Sequence, residues 1–236
     1  MKIYGYILAA SLACTLFSCG EDGVLPEPEP PVVGPGDKDE PDEKPDKIQL
    51  GITASLQSMS QTRGIIEAFM PGHDMGVFVA TSGTGQTTKN ASYLFDGKTW
   101  NADRDVPVEG DADIVAYLPY DKAVTDYAKV AFDLTDQDDI LYGTAKVTKD
   151  IPTASLEMKH AMTLVRVRLM KDEYMGTGLV SDMTFKNVYT AGTLDATAGT
   201  ITKDYGTGRG IIKAGGNYML NDANPVIVDA CLLYTS

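Results

Sequence analysis

Residues 48–57, IQLGITASLQ, give the clearest indication of the type of fold. Its apolar side chains recur at every second position: Ile48, Leu50, Ile52, Ala54 and Leu56. Because successive side chains of a β-strand point to opposite faces, this period predicts a strand with one buried face. The same alternation returns in residues 164–169, where valine and leucine alternate with arginine.

Short strands are predicted along most of the remaining chain, at residues 75–80, 93–95, 98–100, 113–117, 129–134, 140–147, 155–159, 164–169, 184–189, 193–196, 200–202 and 226–228. Asp96-Gly97 separates two of them and predicts a tight hairpin, because both residues tolerate positive φ. No stretch sustains a helical period. The sequence therefore predicts an all-β protein built from antiparallel β-sandwiches.

Composition narrows the possible partners. The chain has 236 residues, with 33 Asp and Glu against 20 Lys and Arg, a formal charge of −13. Its 43% hydrophobic content is enough for a folded core. The acidic balance excludes nucleic acid as a partner, since phosphate binding needs clustered Lys and Arg. The three cysteines, Cys14, Cys19 and Cys231, are too few and too far apart for a disulfide framework or a cysteine zinc site.

The N-terminus predicts a lipoprotein signal peptide over residues 1–18. After Lys2, residues 3–17 are mostly apolar and too short to span a bilayer. Leu16-Phe17-Ser18-Cys19 resembles a bacterial lipobox, which implies cleavage before Cys19 and lipidation, including palmitate, of that residue. Each buried methylene of an acyl chain contributes about 0.8 kcal/mol to membrane binding. A plain secretory signal with an incidental cysteine is the alternative.

Residues 19–47 are predicted to be an acidic, Pro-rich tether. Residues 20–47 hold seven prolines and ten acids against three lysines, so they bury too little apolar surface to fold. Extended, the tether would reach roughly 80 Å. Glu21 and Asp22 resemble the surface-export signals of Bacteroidetes lipoproteins, although an acidic tether explains them nearly as well. The expected location is the outer membrane, facing outward.

The motifs that suggest chemistry lack the context that the chemistry needs. Residues 82–89 follow a strand but do not open a helix with a phosphate-binding lysine. Asp136-Gln137-Asp138-Asp139 lacks the glycine and distant glutamate of a calcium loop and predicts a solvated turn. His73 and His160 are interpreted as capping or packed residues. We therefore expect no catalytic residues, no metal, no cofactor and no enzyme activity.

A set of short segments recurs in a recognisable order: TRG at 62–64, GHDMGVF at 72–78, AYLPY at 116–120, DILYG at 139–143 and MKHAM at 158–162. Asn90, Tyr93 and Trp100 lie between them. This succession resembles the fimbrillin family of Bacteroidetes, the type V pilins and their relatives. It is densest over 62–160 and extends loosely to 230.

The resemblance implies two tandem transthyretin-like β-sandwich domains, which we place at 48–170 and 171–230, with the second incomplete. Fimbrillins travel as lipoproteins and are cut by a trypsin-like protease near the N-terminus. They then polymerise when a terminal strand of one subunit inserts into the next. The implied partners are other pilin subunits, the outer membrane, the processing protease and a host surface ligand.

Applied to this chain, the resemblance suggests Arg63 as the processing site, because it is the first arginine and follows the strand at 48–57. Lys44 and Lys47 are alternative sites, and Arg63 as an ordinary loop residue is the simpler interpretation. Cutting there would free Ile48, Leu50, Ile52, Ala54 and Leu56 from their groove. Burial of each large aliphatic side chain contributes about 1.5–3 kcal/mol, so a donor strand could replace them.

The last six residues, Cys231-Leu-Leu-Tyr-Thr-Ser236, are encoded by TGT CTC TTA TAC ACA TCT, which matches the transposase end used in sequencing libraries. We expect them to be adapter translation after Ala230, although a natural ending is the alternative.

Two functions fit the whole sequence. One is a pilus subunit assembled by strand exchange; the other is a non-polymerising surface lipoprotein that binds a host glycan or protein.

Overall fold

A computed structural model of the chain describes residues 48–57, 66–84, 86–206 and 209–233. Every regular element in these residues is a β-strand, which confirms the predicted all-β class. Within these ranges no helix is long and apolar enough to cross a membrane. The strands are β1 (Gly51–Leu56), β2 (Asp74–Thr81), β3 (Ala91–Phe95), β4 (Trp100–Ala102), β5 (Ala112–Leu118), β6 (Val130–Asp133), β7 (Leu141–Val147), β8 (Thr153–His160), β9 (Thr163–Leu169), β10 (Leu179–Val180), β11 (Met183–Tyr189), β12 (Ala191–Asp195), β13 (Thr200–Lys203), β14 (Arg209–Gly215), β15 (Tyr218–Met219) and β16 (Val226–Leu232).

The largest sheet of the described residues has seven strands, in the order β1-β8-β7-β5-β2-β3-β4. Its two edges approach each other, because residues 48–50, which lead into β1, bridge to residues 106–108, which follow β4. β1 pairs with β8 in parallel, whereas the other strand pairs of the described residues are antiparallel. The purely antiparallel arrangement predicted from the sequence is therefore wrong at β1.

The two faces of the seven-stranded sheet pack into two different hydrophobic clusters. Val77 and Val79 of β2 lie in the cluster that contains the side chains of β1, while Phe78 between them lies in the second cluster. Because side chains alternate along a strand, a continuous apolar run such as that of β2 is buried on both faces. The second cluster also contains Leu194 and Ile212 of the C-terminal strands. This arrangement confirms the predicted sandwich-like fold.

The C-terminal strands form four short sheets among the described residues: β13-β12-β6, β9-β16, β11-β14 and β10-β15. Side chains of the first three belong to the second cluster. β6 pairs with β12 in the register Val130↔Leu194, so this small sheet joins segments from both sides of residue 170. The domains predicted at 48–170 and 171–230 remain predictions. Cys231 and Leu232 lie in β16, opposite Leu164 and Thr163 of β9, and the adapter origin of residues 231–236 is likewise still a prediction.

Two local predictions are corrected. Phe95 pairs with Trp100, so the hairpin loop has four residues, 96–99, rather than the two expected at Asp96-Gly97. The Asp96 carboxylate stabilises this longer loop by accepting hydrogen bonds from the backbone N–H groups of Lys98 and Thr99, at 2.8 Å each. The glycine-rich composition of residues 206–210 favours a loop, but β14 begins at Arg209 and carries the fully buried Ile212.

Candidate functional site: the first strand and its groove

β1 is held along one side by backbone and side-chain bonds to β8. Gly51 lies opposite Thr153 and Leu56 opposite Met158, and the pairing between them is unbroken. The backbone N–H of Gly51 donates to the Pro152 carbonyl at 3.0 Å. On the outer face, the hydroxyl groups of Thr53 and Ser55 donate to the carbonyls of Ala154 and Leu156 at 3.3 and 3.5 Å. The polar half of the alternating pattern therefore contributes to the pairing as well.

The residues that lead into β1 are held from the opposite side. The Leu50 N–H donates to the Val106 carbonyl, and the Val108 N–H donates to the Ile48 carbonyl, both at 2.9 Å. The side-chain oxygen of Gln49 accepts a bond from the Val106 N–H at 2.8 Å. Residues 48–50 thus pair with residues 106–108, and β1, which follows them, pairs with β8.

The apolar face of β1 fills a groove, which we define by Tyr93, Val106, Ala154, Leu156 and Met158. All five residues belong to the hydrophobic cluster that contains the side chains of β1, and each is at most 3% exposed. Leu50 and Ile52 are buried over this groove, and Ala54 and Leu56 pack against it half-buried. Ile48 is 36% exposed, so its predicted place in the buried row is wrong: it precedes the strand and contributes only its carbonyl.

Tyr93 links the groove directly to the strand above it. Its hydroxyl donates to the Leu50 carbonyl at 3.1 Å. Burial, together with the nearby charge of Asp103, raises the pKa of Tyr93 to about 12. The hydroxyl group is therefore protonated at neutral pH and can donate to this carbonyl.

Both flanks of the predicted processing loop are attached to the body of the protein. On one flank, the Gln57 N–H donates to the Met158 carbonyl at 2.8 Å. On the other, the Ile66 N–H donates to Oδ2 of Asp139 at 3.1 Å. Arg63, the predicted cut site, belongs to residues 58–65 between these anchors and lies outside the described residues, as do Cys19, Lys44 and Lys47.

Asp139, which accepts the bond from the Ile66 N–H, is the centre of a buried polar cluster. Oδ2 of Asp139 lies 2.8 Å from Nδ1 of His160, and the two side chains are 4% and 5% exposed. Oδ1 is buried without a hydrogen-bond partner among the described residues. The solvated turn predicted for residues 136–139 is therefore wrong at Asp139, whereas the packed histidine predicted at His160 is confirmed.

Residues 136–139, which carry Asp139, are also connected to the C-terminal strand β16. Gln137 forms two bonds with the backbone of Cys231: its amide oxygen accepts from the N–H at 2.9 Å, and its amide nitrogen donates to the carbonyl at 3.3 Å. Burial and the charges of Asp139 and Asp229 raise the pKa of the Cys231 thiol to about 12, so the thiol stays protonated. The cluster is suited to holding segments together rather than to nucleophilic chemistry.

A cavity of about 720 Å³ opens beside the cluster, between the segment that follows the processing loop and residues 118–139. Apolar side chains and three carboxylates line it: Ile66, Glu67, Ala68, Met70, His73, Leu118, Pro119, Gln137, Asp138 and Asp139. His73 accepts a bond from the Met70 N–H at 3.3 Å, which confirms a capping role in its turn. Within the described ranges, no group of three or more His, Cys, Asp or Glu residues is arranged to hold a metal ion.

Comparison with known proteins gives a family and a fold. Residues 62–228 match the model of a family described as Fimbrillin-like. No curated protein matches the chain significantly.

Two crystal structures share the fold. A proposed cell adhesion protein of Bacteroides ovatus is 17% identical, with a TM-score of 0.57 over 79% of this chain and 78% of that one. A proposed cell adhesion protein of Bacteroides uniformis is 17% identical, with a TM-score of 0.58 over 79% of this chain and 75% of that one.

Proposed function

Because this chain belongs to the fimbrillin-like family, we propose that it is a structural or adhesive subunit of a cell-surface pilus. The two structural neighbours, both described as proposed cell adhesion proteins, support a surface role. The role is structural rather than catalytic, and its chemistry is the pairing of strands.

In this proposal the chain reaches the surface as a lipoprotein. The signal peptide is removed before Cys19, and acyl chains on that residue hold the protein in the outer membrane. The acidic tether at 19–47 then spaces the folded body from the membrane, with a reach of roughly 80 Å.

Assembly begins when a trypsin-like protease cuts after Arg63. Before the cut, β1 is covalently joined to the body through residues 58–65. After it, non-covalent contacts hold the strand: the bonds to β8, to residues 106–108 and to the Tyr93 hydroxyl, and the burial of its apolar side chains. A strand from a second subunit can then pair with β8 and fill the same groove, by β-augmentation.

The observation that carries this proposal is the place of β1 in the sheet. It is an edge strand, it comes from the start of the described residues, and with the residue before it, it covers an apolar groove with two buried side chains, Leu50 and Ile52. Burial of two large aliphatic side chains contributes roughly 3–6 kcal/mol. A donor strand with more apolar side chains at these positions would bind more tightly than β1 itself.

The experiment uses the protein expressed from its complete reading frame and treated with trypsin. We expect a ladder of multimers on SDS gels that disappears on boiling and forms only after cleavage. Arg63→Gln should abolish the ladder, while Lys44→Gln and Lys47→Gln, at the alternative sites, should leave it intact. A single monomer band in every lane would overturn the proposal and favour a non-polymerising surface adhesin.

A further inference from the structure

Four side chains of the C-terminal strands form what we call the aromatic–basic patch: Tyr189, Lys203, Tyr205 and Arg209. Tyr189 ends β11, Lys203 ends β13, and Arg209 begins β14 directly opposite Tyr189. Tyr205 follows β13. Three strands within residues 183–215 thus bring two rings and two cations together.

The patch is organised around the ring of Tyr189. The ammonium group of Lys203 lies 5.6 Å from the centroid of this ring, and the guanidinium carbon of Arg209 lies 5.1 Å from it. Both distances are within the range of cation–π attraction. The ring of Tyr205 meets that of Tyr189 edge to face, with the centroids 5.3 Å apart. The central ring therefore positions the other three side chains.

Backbone irregularities support this arrangement. β11 has a register shift between Lys186 and Val188, and Asn187 within it has a φ of +62°. The Asn187 carbonyl accepts a bond from Nη1 of Arg209 at 3.4 Å. Next to Tyr205, the Asp204 carboxylate accepts a bond from the Gly206 N–H at 2.7 Å. A bulge thus holds the guanidinium, and a turn holds the segment that carries the exposed ring.

The patch is accessible and positively charged in an acidic protein. The Tyr205 side chain is 71% exposed, and Arg209 is exposed as well. None of the ion pairs formed within the described residues involves Lys203 or Arg209. Two cations beside an open aromatic face are therefore available to an anionic partner.

We propose that the aromatic–basic patch binds an acidic carbohydrate. The apolar face of a pyranose ring lies on Tyr205, and a carboxylate or sulfate of the sugar binds between Lys203 and Arg209. A tyrosine ring offers an apolar face and a polar hydroxyl to such a ligand. A guanidinium binds an oxyanion through paired N–H bonds. Clusters of cations also bind acidic peptides, but the exposed ring of Tyr205 beside the two cations favours a sugar ring, and competition with an acidic peptide separates the two ligands.

The inference goes beyond the proposed function, because no residue of the patch belongs to β1 or to its groove. Binding therefore does not require cleavage or assembly, and the two proposals fail separately. The binding test uses the uncut full chain, whereas the assembly test uses the chain treated with trypsin.

The test is calorimetric titration of the full chain with two probes, a chondroitin sulfate hexasaccharide and a galacturonate hexamer. We expect at least one of them to bind. Tyr205→Ala and Arg209→Gln should each weaken that binding about tenfold. The matched controls are Tyr174→Ala, another exposed tyrosine, and Arg168→Gln, an exposed arginine of β9. These controls should change the affinity less than twofold, and the thermal midpoint of each variant should stay at that of the parent chain.

Three outcomes would overturn the inference. One is that neither oligosaccharide binds. Another is that the control variants weaken binding as much as the patch variants do. The third is that a hexaglutamate peptide displaces the bound sugar at equal concentration, since the patch would then select charge without the sugar ring.

Discussion

The two edge strands of the seven-stranded sheet are held in different ways. β4 is the second arm of a hairpin: Phe95 pairs with Trp100 across a four-residue loop, and the chain continues from both ends of the arm. β1 pairs with a strand a hundred residues away, with Gly51 opposite Thr153, and the body of the protein continues from only one of its ends. One cut in residues 58–65 would leave β1 attached by non-covalent contacts alone, whereas β4 would need two cuts.

The same contrast exists between the aspartates that stabilise the two edges. Asp96 is exposed, and it bonds to groups of its own loop. Asp139 is buried, and it joins Ile66, after the processing loop, to His160 at the end of β8. The β4 edge is thus a local structure, while the β1 edge depends on residues that only the fold brings together. The following predictions are ordered from the largest effect to the smallest.

Asp139→Ala should cause the largest loss of stability. It leaves the buried His160 ring and the Ile66 N–H without their partner, and breaking a buried pair in this way costs about 3–5 kcal/mol. Urea unfolding measures the difference. The neighbouring Asp138 is exposed, so Asp138→Ala should stay within about 0.5 kcal/mol of the parent chain. Equal effects of the two substitutions would contradict the role of Asp139 in holding Ile66 and His160 together.

Ile52→Ala should destabilise the β1 edge by about 2–4 kcal/mol, because it removes a buried side chain from above the groove. The control is Leu94→Ala in β3, which lies next to the other edge strand, β4. The Leu94 side chain is 49% exposed. That change should cost under about 1 kcal/mol. If urea unfolding gave the two variants the same midpoint, β1 would not be packed as described.

Gly97→Ala should destabilise the β4 hairpin by about 1–2 kcal/mol, since Gly97 has a φ of +102°. The new Cβ would also lie 3.1 Å from Cγ of Pro71. Thermal unfolding measures the loss. This substitution should leave multimer formation after cleavage unchanged, and a block of assembly would show that the two edges are not independent.

Tyr93 should report the presence of β1 through its pKa, which burial and Asp103 raise to about 12. A phenol whose folded-state pKa lies above its unfolded value stabilises the fold below pH 10, and this stabilisation is lost as the pH rises from about 10 to 12. When β1 leaves, Tyr93 loses the Leu50 acceptor and part of its burial, so its pKa should fall. Absorbance titration of the chain minus that of Tyr93→Phe isolates this group, and an unchanged pKa after strand release would contradict the contact.

The smallest effect is expected at Asp96, whose pKa is lowered to about 2 by the backbone N–H groups of Thr99 and Lys98 and by the side chains of Asn101 and Thr99. A lowered carboxyl pKa stabilises the fold above about pH 4, and this stabilisation is lost as the pH falls from about 4 to about 2. Asp96→Ala should flatten the change in stability across that range. Carboxyl NMR titration of the parent chain checks the pKa directly, and a value near 4 would remove the effect.

The alternating pattern of residues 48–57 was enough to predict β1 and its buried face, because a period of two is a local property. Its parallel partner was not predictable, since the pairing with β8 depends on how the intervening hundred residues fold. Asp139 was missed for the same reason. In the sequence it belongs to a polar run typical of solvated turns, and only the approach of His160 and Ile66 explains its burial.

The aromatic–basic patch shows the same limit of sequence reasoning. Tyr189, Lys203 and Arg209 carry no common motif, and residues 206–210 have the composition of a loop. The patch exists because β14 pairs back on β11 and places Arg209 opposite Tyr189. A signal was available in residues 211–212, two adjacent isoleucines after the glycine-rich segment, which are typical of a short strand.

The most direct test of the central claim is to offer β1 back to the protein as a peptide. A fluorescent peptide of residues 48–57 is added to the full chain cut after Arg63, and to the Arg63→Gln chain treated with the same protease. If β1 is a replaceable strand, the cut chain takes up one peptide per molecule, the uncut chain takes up none, and a peptide with Ile52→Asp fails to bind. Equal uptake by both chains, or no uptake by a fully cut chain, would contradict the claim that β1 is a replaceable strand.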